Sequence, residues 1–328
     1  MKRILFIATG GTIASKNSGS GLTPVMTSDD LLACVPEIAE TCRVDAVQLF
    51  NLDSTNIYAR HWLKIANTVE RNYETYDGFV VTHGTDTMAY TAAALSYLMQ
   101  NIAKPVVLTG AQKSAYLRDT DARRNLADAF AFASDGRAFG VNVVFDGNVI
   151  LGTRAKKTRT RSFNAFASID YPDVALMRDG KPFYYLTDAK PQTAPRFYRA
   201  MNEKVFVLKM IPGLSPNIFS YLNEECDGLV IESFGSGGLP DYDNDEFFFR
   251  LKEFTARGKT VVCTTQVERE GSALDTYEVG RKLLACGNVL EARSMTLEAT
   301  VTKLMWALAA DRERVGELFE SPVRHDIF

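Results

Sequence analysis

At 328 residues the chain is long enough for roughly two domains, each with a core of its own. Its 46% hydrophobic and 23% charged residues are ordinary for a globular protein and exclude a disordered one. A formal net charge of −3 argues against nucleic acid as the main partner, because phosphate binding needs a concentrated positive face.

The N-terminus opens on an apolar stretch too short for a secretory leader and without a small-residue cleavage site, so it reads as a buried strand, Ile4–Ala8. No segment approaches the length that spans a bilayer. Five cysteines, an odd number without paired spacing, suit a reducing compartment. A soluble, cytoplasmic protein with no membrane contact is expected. Further strands are expected at Ala46–Phe50, Gly78–Thr82, Pro105–Leu108, Val141–Phe145 and Val149–Leu151, with helices over His61–Tyr73, Thr87–Gln100 and Ala122–Ala133. The periodicity lapses in a polar, proline-bearing stretch around Lys190–Arg196, which places a linker at 187–204 between an N-terminal domain (1–186) and a smaller C-terminal one (205–328). Strands resume at Val205–Lys209, Gly228–Glu232 and Thr260–Cys263, and a closing helix over Thr296–Ala309 reads as core packing. Most strand candidates are continuous apolar runs, and strands alternate with helices. The pattern predicts a two-domain α/β fold, its sheet mostly parallel.

In such a sheet ligands sit beyond the carboxyl ends of the strands. After the first strand comes Thr9-Gly-Gly-Thr-Ile-Ala-Ser15, where two glycines allow a sharp turn that presents the Thr12 hydroxyl. Neither phosphate-binding glycine motif is present. The segment 16–21, rich in Ser and Gly, reads equally as a mobile lid or a plain surface loop. Asn51–Asn56 is dense in small polar groups and on its own is a capping turn. Thr82-His-Gly-Thr-Asp-Thr-Met88 precedes an apolar helix, so Asp and Thr there are either caps or ligand contacts. Adjacent side chains in an extended stretch point opposite ways, which would let Thr85 and Asp86 serve different parts of one ligand. Thr109-Gly-Ala-Gln112 ends the fourth strand, and Gly152–Thr158 follows Val149–Leu151. A lysine in that last run acts as a base only if part of it is held neutral, and a solvated basic loop is the commoner fate. Only three histidines exist and no G-x-S-x-G accompanies them, which disfavours a Ser–His–Asp hydrolase. Hydroxyl nucleophile, lysine base and carboxylate remain, a set that suits amide hydrolysis.

These segments resemble the bacterial-type L-asparaginases over most of the chain. Thr9–Ala14 and His83-Gly-Thr-Asp-Thr-Met88 match the two family signatures, and Thr109–Gln112 and Lys157-Thr-Arg-Thr160 match two further blocks. The intracellular type is nearer, given Asp77–Tyr90. The resemblance implies that Thr12 attacks the amide carbon of L-asparagine and forms an acyl-enzyme. Thr85, Asp86 and Lys157 form a second cluster that relays protons and positions water. It also implies that Ser54, Thr55, Gly84, Thr85 and Asp86 hold the substrate, and that the Ala111 backbone N–H or a neighbour stabilises the oxyanion. No metal and no cofactor is implied, and the family assembles as homodimers or homotetramers. Where many members carry a lid tyrosine this chain has Leu22, and where secreted members place an asparagine in the second domain it has Gly238. Rival readings are a glutaminase, the amidase subunit of a tRNA-dependent amidotransferase, and a non-catalytic amino-acid sensor. The amidase-subunit reading expects an additional N-terminal domain, whereas the first strand starts almost at Met1. The sensor has no need for a nucleophile and base together.

Overall fold

Strand β1 (Lys2–Gly10) is buried from Ile4 onward, as a continuous apolar run inside a sheet, with a strand on each side, must be. The computed structural model describes residues 1–17, 19 and 22–328, the side chains of Asn17, Leu22, Pro24, Asp243 and Asn244 excepted. On one side β1 pairs in parallel with β2 (Cys42–Leu52), and on the other with β3 (Gly78–Thr82). β4 (Pro105–Thr109) and β5 (Gly140–Phe145) extend the parallel set. The chain then reverses through Asp146-Gly147, both at positive φ as a two-residue hairpin turn requires, into antiparallel β6 (Asn148–Leu151). β7 (Ala155–Lys157) and β8 (Phe166–Ser168) form a separate hairpin. β9 (Ala175–Arg178) and β10 (Lys181–Tyr184) complete the large sheet, whose order is β10-β9-β6-β5-β4-β3-β1-β2. Helices α1 (Ala59–Asn72), α2 (Met88–Leu98) and α3 (Ala122–Ser134) belong to this unit. α2 is apolar nearly all round and correspondingly buried all round.

This unit spans Met1–Arg199; a second, Ala200–Phe328, contains a four-stranded parallel sheet. Its strands, in order across the sheet, are β11 (Val205–Lys209), β12 (Gly228–Ser233), β13 (Thr260–Thr265) and β14 (Val289–Glu291). Its helices include α4 (Ile218–Glu225), α5 (Tyr242–Ala256), α6 (Glu278–Leu284) and α7 (Leu297–Ala310). Phe219, Phe247, Leu251 and Phe254 pack onto Leu229, Ile231 and Val261 as its core.

The expected α/β fold with a larger and a smaller domain is the one observed. Four details differ. Met99 and Gln100, expected in a helix, pair instead as a short strand with Arg196–Phe197 of the expected linker. β9 and β10 were not expected, because Lys, Arg and Pro interrupt their apolar pattern. The closing helix is more than apolar packing: Lys303 lies fully buried on α7. Nor is 153–157 a solvated basic loop, since Thr153 and Arg154 are fully buried, Arg154 over the Tyr171 ring, and Lys156 is partly buried.

Candidate active site

Backbone contact brings the strand-end loops together. Gly11, at φ 83°, lies so close to the next loop that a Cβ on it would stand 2.4 Å from the Gly84 nitrogen. A Cβ on Gly84 would in turn stand 2.6 Å from Ser54 Oγ. Real Cβ atoms do not approach other atoms so closely, so a side chain at Gly11 would strike the backbone of Gly84 and one at Gly84 the side chain of Ser54. The turns after β1, β2 and β3 therefore stack directly, with Thr12 and Thr85 each one residue beyond a contact. Thr12 opens a single 3-10 turn, Thr12–Ala14, held by Ser15 Oγ donating to the Gly11 carbonyl. Ser114 Oγ donates to the Ser15 carbonyl and Ala115 N to that of Ile13, tying this turn to the loop after β4.

Lys157 ends β7, and its ammonium donates to Thr85 Oγ1 at 2.8 Å and to Asp86 Oδ1 at 2.6 Å. Thr85 is buried, whereas the Asp86 side chain is 62% exposed. The expectation that these neighbours face opposite ways fails because 85–87 is a turn, where alternation does not apply. Capping does not account for the segment either: Thr87 makes no side-chain cap bond to α2 and donates to the Ser54 carbonyl instead. Ser54 is buried beneath Gly84, while Thr55 is exposed, its hydroxyl donating to Asp53 Oδ1 in a capping turn. Ala111 is buried in a loop fixed on both sides. Asn125 Nδ2 donates to the Gly110 carbonyl at 2.9 Å, and Asp121 accepts from the backbone N–H groups of Gln112 (2.8 Å) and Lys113 (3.0 Å). Burial pushes the Asp121 carboxyl up, against the pull of those bonds.

His83 is fully buried, and desolvation lowers its pKa to about 4. The Gly84 carbonyl only accepts, so His83 Nδ1 donates to it; in the neutral ring Nε2 then accepts from the Thr91 hydroxyl, which itself accepts from Trp62 Nε1. Burial keeps the ring neutral with both nitrogens bonded, which makes His83 a support for the loop rather than a base.

Gln112, Asp121 and Asn125 escaped the sequence reading as site residues. Asp121 and Asn125 did carry a signal: four residues apart at the start of a helix, they share one face. The expected lid runs into Ser18, Ser20 and Gly21, and the Leu22 side chain is likewise outside the described residues. Gly238 closes a tight turn by bridging Phe234.

Fold and cluster define a two-domain α/β protein with a threonine–aspartate–lysine centre at the strand ends. A family model described as Asparaginase, N-terminal matches residues 3–190, and one described as Glutaminase/Asparaginase C-terminal domain matches 204–319. The chain belongs to the asparaginase family. It is 39% identical to an L-asparaginase of Thermococcus kodakarensis over 99% of both chains. The solved structure of the thermostable L-asparaginase from that organism superimposes with a TM-score of 0.92, at 36% identity and 99% coverage of each chain. A glutamyl-tRNA(Gln) amidotransferase component of Pyrococcus furiosus is 34% identical, over 93% of this chain and 72% of that one.

Proposed function

We propose that the protein hydrolyses the side-chain amide of L-asparagine to aspartate and ammonia. The observation that carries this reading is the lysine ammonium shared between a buried threonine hydroxyl and a carboxylate, beside a glycine turn that presents Thr12. Thr12 Oγ1 attacks the amide carbon, and the C–N bond breaks as a proton passes to the departing nitrogen. Ammonia leaves, and an ester links Thr12 to the aspartyl group. Backbone N–H at Ala111 faces the oxyanion of each tetrahedral intermediate. Asp86, held by Lys157, receives the α-ammonium group, while Ser54, Thr55 and Gly84 close around the α-amino-acid end. Lys157, having given a proton to the departing ammonia, then takes one through Thr85 from the water that cleaves the ester, and the second water proton returns to Thr12 as it leaves.

The protein acts in the cytoplasm, in keeping with its five free cysteines, and as a homodimer or homotetramer, as its resemblance to the intracellular type suggests. Small polar residues around the site favour asparagine over glutamine, although one methylene is worth only about 1–3 kcal/mol. Ammonia release from each amide tests this, and comparable kcat/KM for the two overturns the preference. Thr12→Ala is expected to fold normally and lose roughly 10³-fold or more in kcat. Near-normal turnover by that variant removes Thr12 as nucleophile.

A further inference from the structure

One residue of the loop after β4 has no part in the scheme above, yet it touches the relay directly. The Gln112 side chain lies between Thr85 and the segment beyond β7: Nε2 donates to the Ser162 carbonyl at 3.1 Å, and Oε1 lies 3.3 Å from Thr85 Oγ1. The Ser162 carbonyl only accepts, so the amide has one allowed orientation. The flipped amide sets two acceptors face to face. Oε1 therefore faces Thr85, and because it cannot donate, the Thr85 hydroxyl must give its proton to it. That direction leaves a lone pair of Thr85 Oγ1 for the Lys157 ammonium, 2.8 Å away. The Gln112 backbone is pinned as well, its N–H on Asp121 Oδ2 at 2.8 Å.

We infer that Gln112 is a positioning residue: its amide oxygen holds the Thr85 side chain in the rotamer that keeps Oγ1 against the Lys157 ammonium, so that the pair keeps a single arrangement. The inference deepens the proposed hydrolysis and rests on it for its kinetic consequence. Without the acceptor the Thr85 side chain samples rotamers of which only one keeps Oγ1 on Lys157. Binding of the substrate's amino-acid end does not use Gln112, so the loss falls on kcat rather than KM.

The test compares Gln112→Met, which fills the volume without an acceptor, with Gln112→Glu, which keeps an oxygen for Thr85 and gives up the donor to Ser162. Gln112→Met is expected to lose about 10- to 100-fold in kcat, the scale of a slight misplacement in a site, with KM within about three-fold of wild type. Gln112→Glu is expected to keep at least about five-fold more turnover than Gln112→Met. Crystal structures of both variants supply a readout independent of turnover: Thr85 takes more than one rotamer in the methionine variant and one in the glutamate variant. A single, wild-type Thr85 rotamer in Gln112→Met overturns the inference, as does a glutamate variant no more active than the methionine one. A wild-type protein that releases no ammonia from asparagine overturns the proposed function instead, and the rotamer comparison still decides the role of Gln112.

Discussion

Each unit of the molecule holds a lysine–aspartate pair, and the two pairs are nearly the same length, 2.6 Å for Lys157–Asp86 and 2.7 Å for Lys303–Asp326. Their surroundings differ completely. Lys157 is 16% exposed and Asp86 62%, whereas both side chains of the second pair are 0% exposed. Lys303 also donates to the Ser321 carbonyl and lies over the Phe319 ring, and Val323 N donates to Asp326. The buried pair thus fastens the C-terminal residues onto α7 with its hydrogen-bonding directions taken up locally. The exposed pair leaves one carboxylate open to solvent, and so to a ligand. Contact distance does not show which ion pair is open to a ligand; accessibility and the spare bonding capacity of each partner do.

The comparison breaks most visibly at Lys157. Lys157→Met is expected to lose about 10³-fold in turnover, within the range supplied by a positioned acid–base group. It should hardly move the unfolding midpoint, since a pair this exposed contributes about 0–1 kcal/mol. Lys157→Arg keeps the charge but cannot give up a proton at neutral pH, and should not restore activity. Lys156→Met should stay within a few-fold of wild type, because on β7 its side chain faces away from that of Lys157. A dead Lys156→Met beside an active Lys157→Met would invert the assignment.

At the other pair the expectation reverses. Lys303→Met should destabilise by about 3 kcal/mol or more in denaturant titration, because the Asp326 carboxylate stays buried without its ammonium. Replacing both, Lys303→Met with Asp326→Leu, should be clearly milder than the single change, since the desolvation of two charges is removed together. Equal losses in the single and double variants would show that packing, not charge, governs this corner. Burial has already lowered the lysine's pKa, opposed by Asp326.

Much of this contrast was legible beforehand and some of it was not. Gly78–Thr82 and Val205–Lys209 coincide with their strands because continuous apolar runs bounded by turns have few alternatives. Thr12, Thr85 and Asp86 could be shortlisted because strand ends are few, whereas the choice of Lys157 and the roles of all four came from the resemblance to the family's blocks. β9 and β10 carried a signal in the Asp179-Gly180 turn, both residues at positive φ, but their polar content hid it. Lys303 offered none: a lysine in a helix reads as solvent-facing unless its partner, twenty-three positions later, is known to fold back. The roles of Gly11 and Gly84 were half visible, since freedom to turn is read from sequence and closeness of a neighbouring loop is not.

His83 sharpens the comparison with a buried group that stays neutral instead of finding a counter-charge. In the unfolded chain it takes up a proton below about pH 6.5; in the native protein it does so only near its lowered value of about 4. The lowered native pKa means its contribution is present at neutral pH and lost as the pH falls through that window. The expected loss is about 3 kcal/mol between pH 6.5 and 4. His83→Gln should flatten the stability curve across that interval, and an unchanged slope would remove His83 as its source.

The smallest expected effect lies at Asp173, a partly buried carboxylate just before β9. Burial alone raises its pKa, with no cation or hydrogen bond among the described residues opposing the shift. The sign is therefore opposite to that of His83. A carboxyl with a raised native pKa keeps its full contribution below the ordinary carboxylate range and loses it as the pH rises through the native value. Asparagine has nearly the same shape and no proton to lose. Asp173→Asn should match wild type near pH 3 and exceed it at pH 7, by no more than a few degrees in Tm. Calorimetry at both pH values reads the difference directly. A gain of equal size at the two pH values would mean that the amide makes a new bond, and a loss at pH 7 would mean that the ionised carboxylate has a partner worth more than its desolvation. Either result would place Asp173 with the paired carboxylates, Asp86 and Asp326, rather than apart from them.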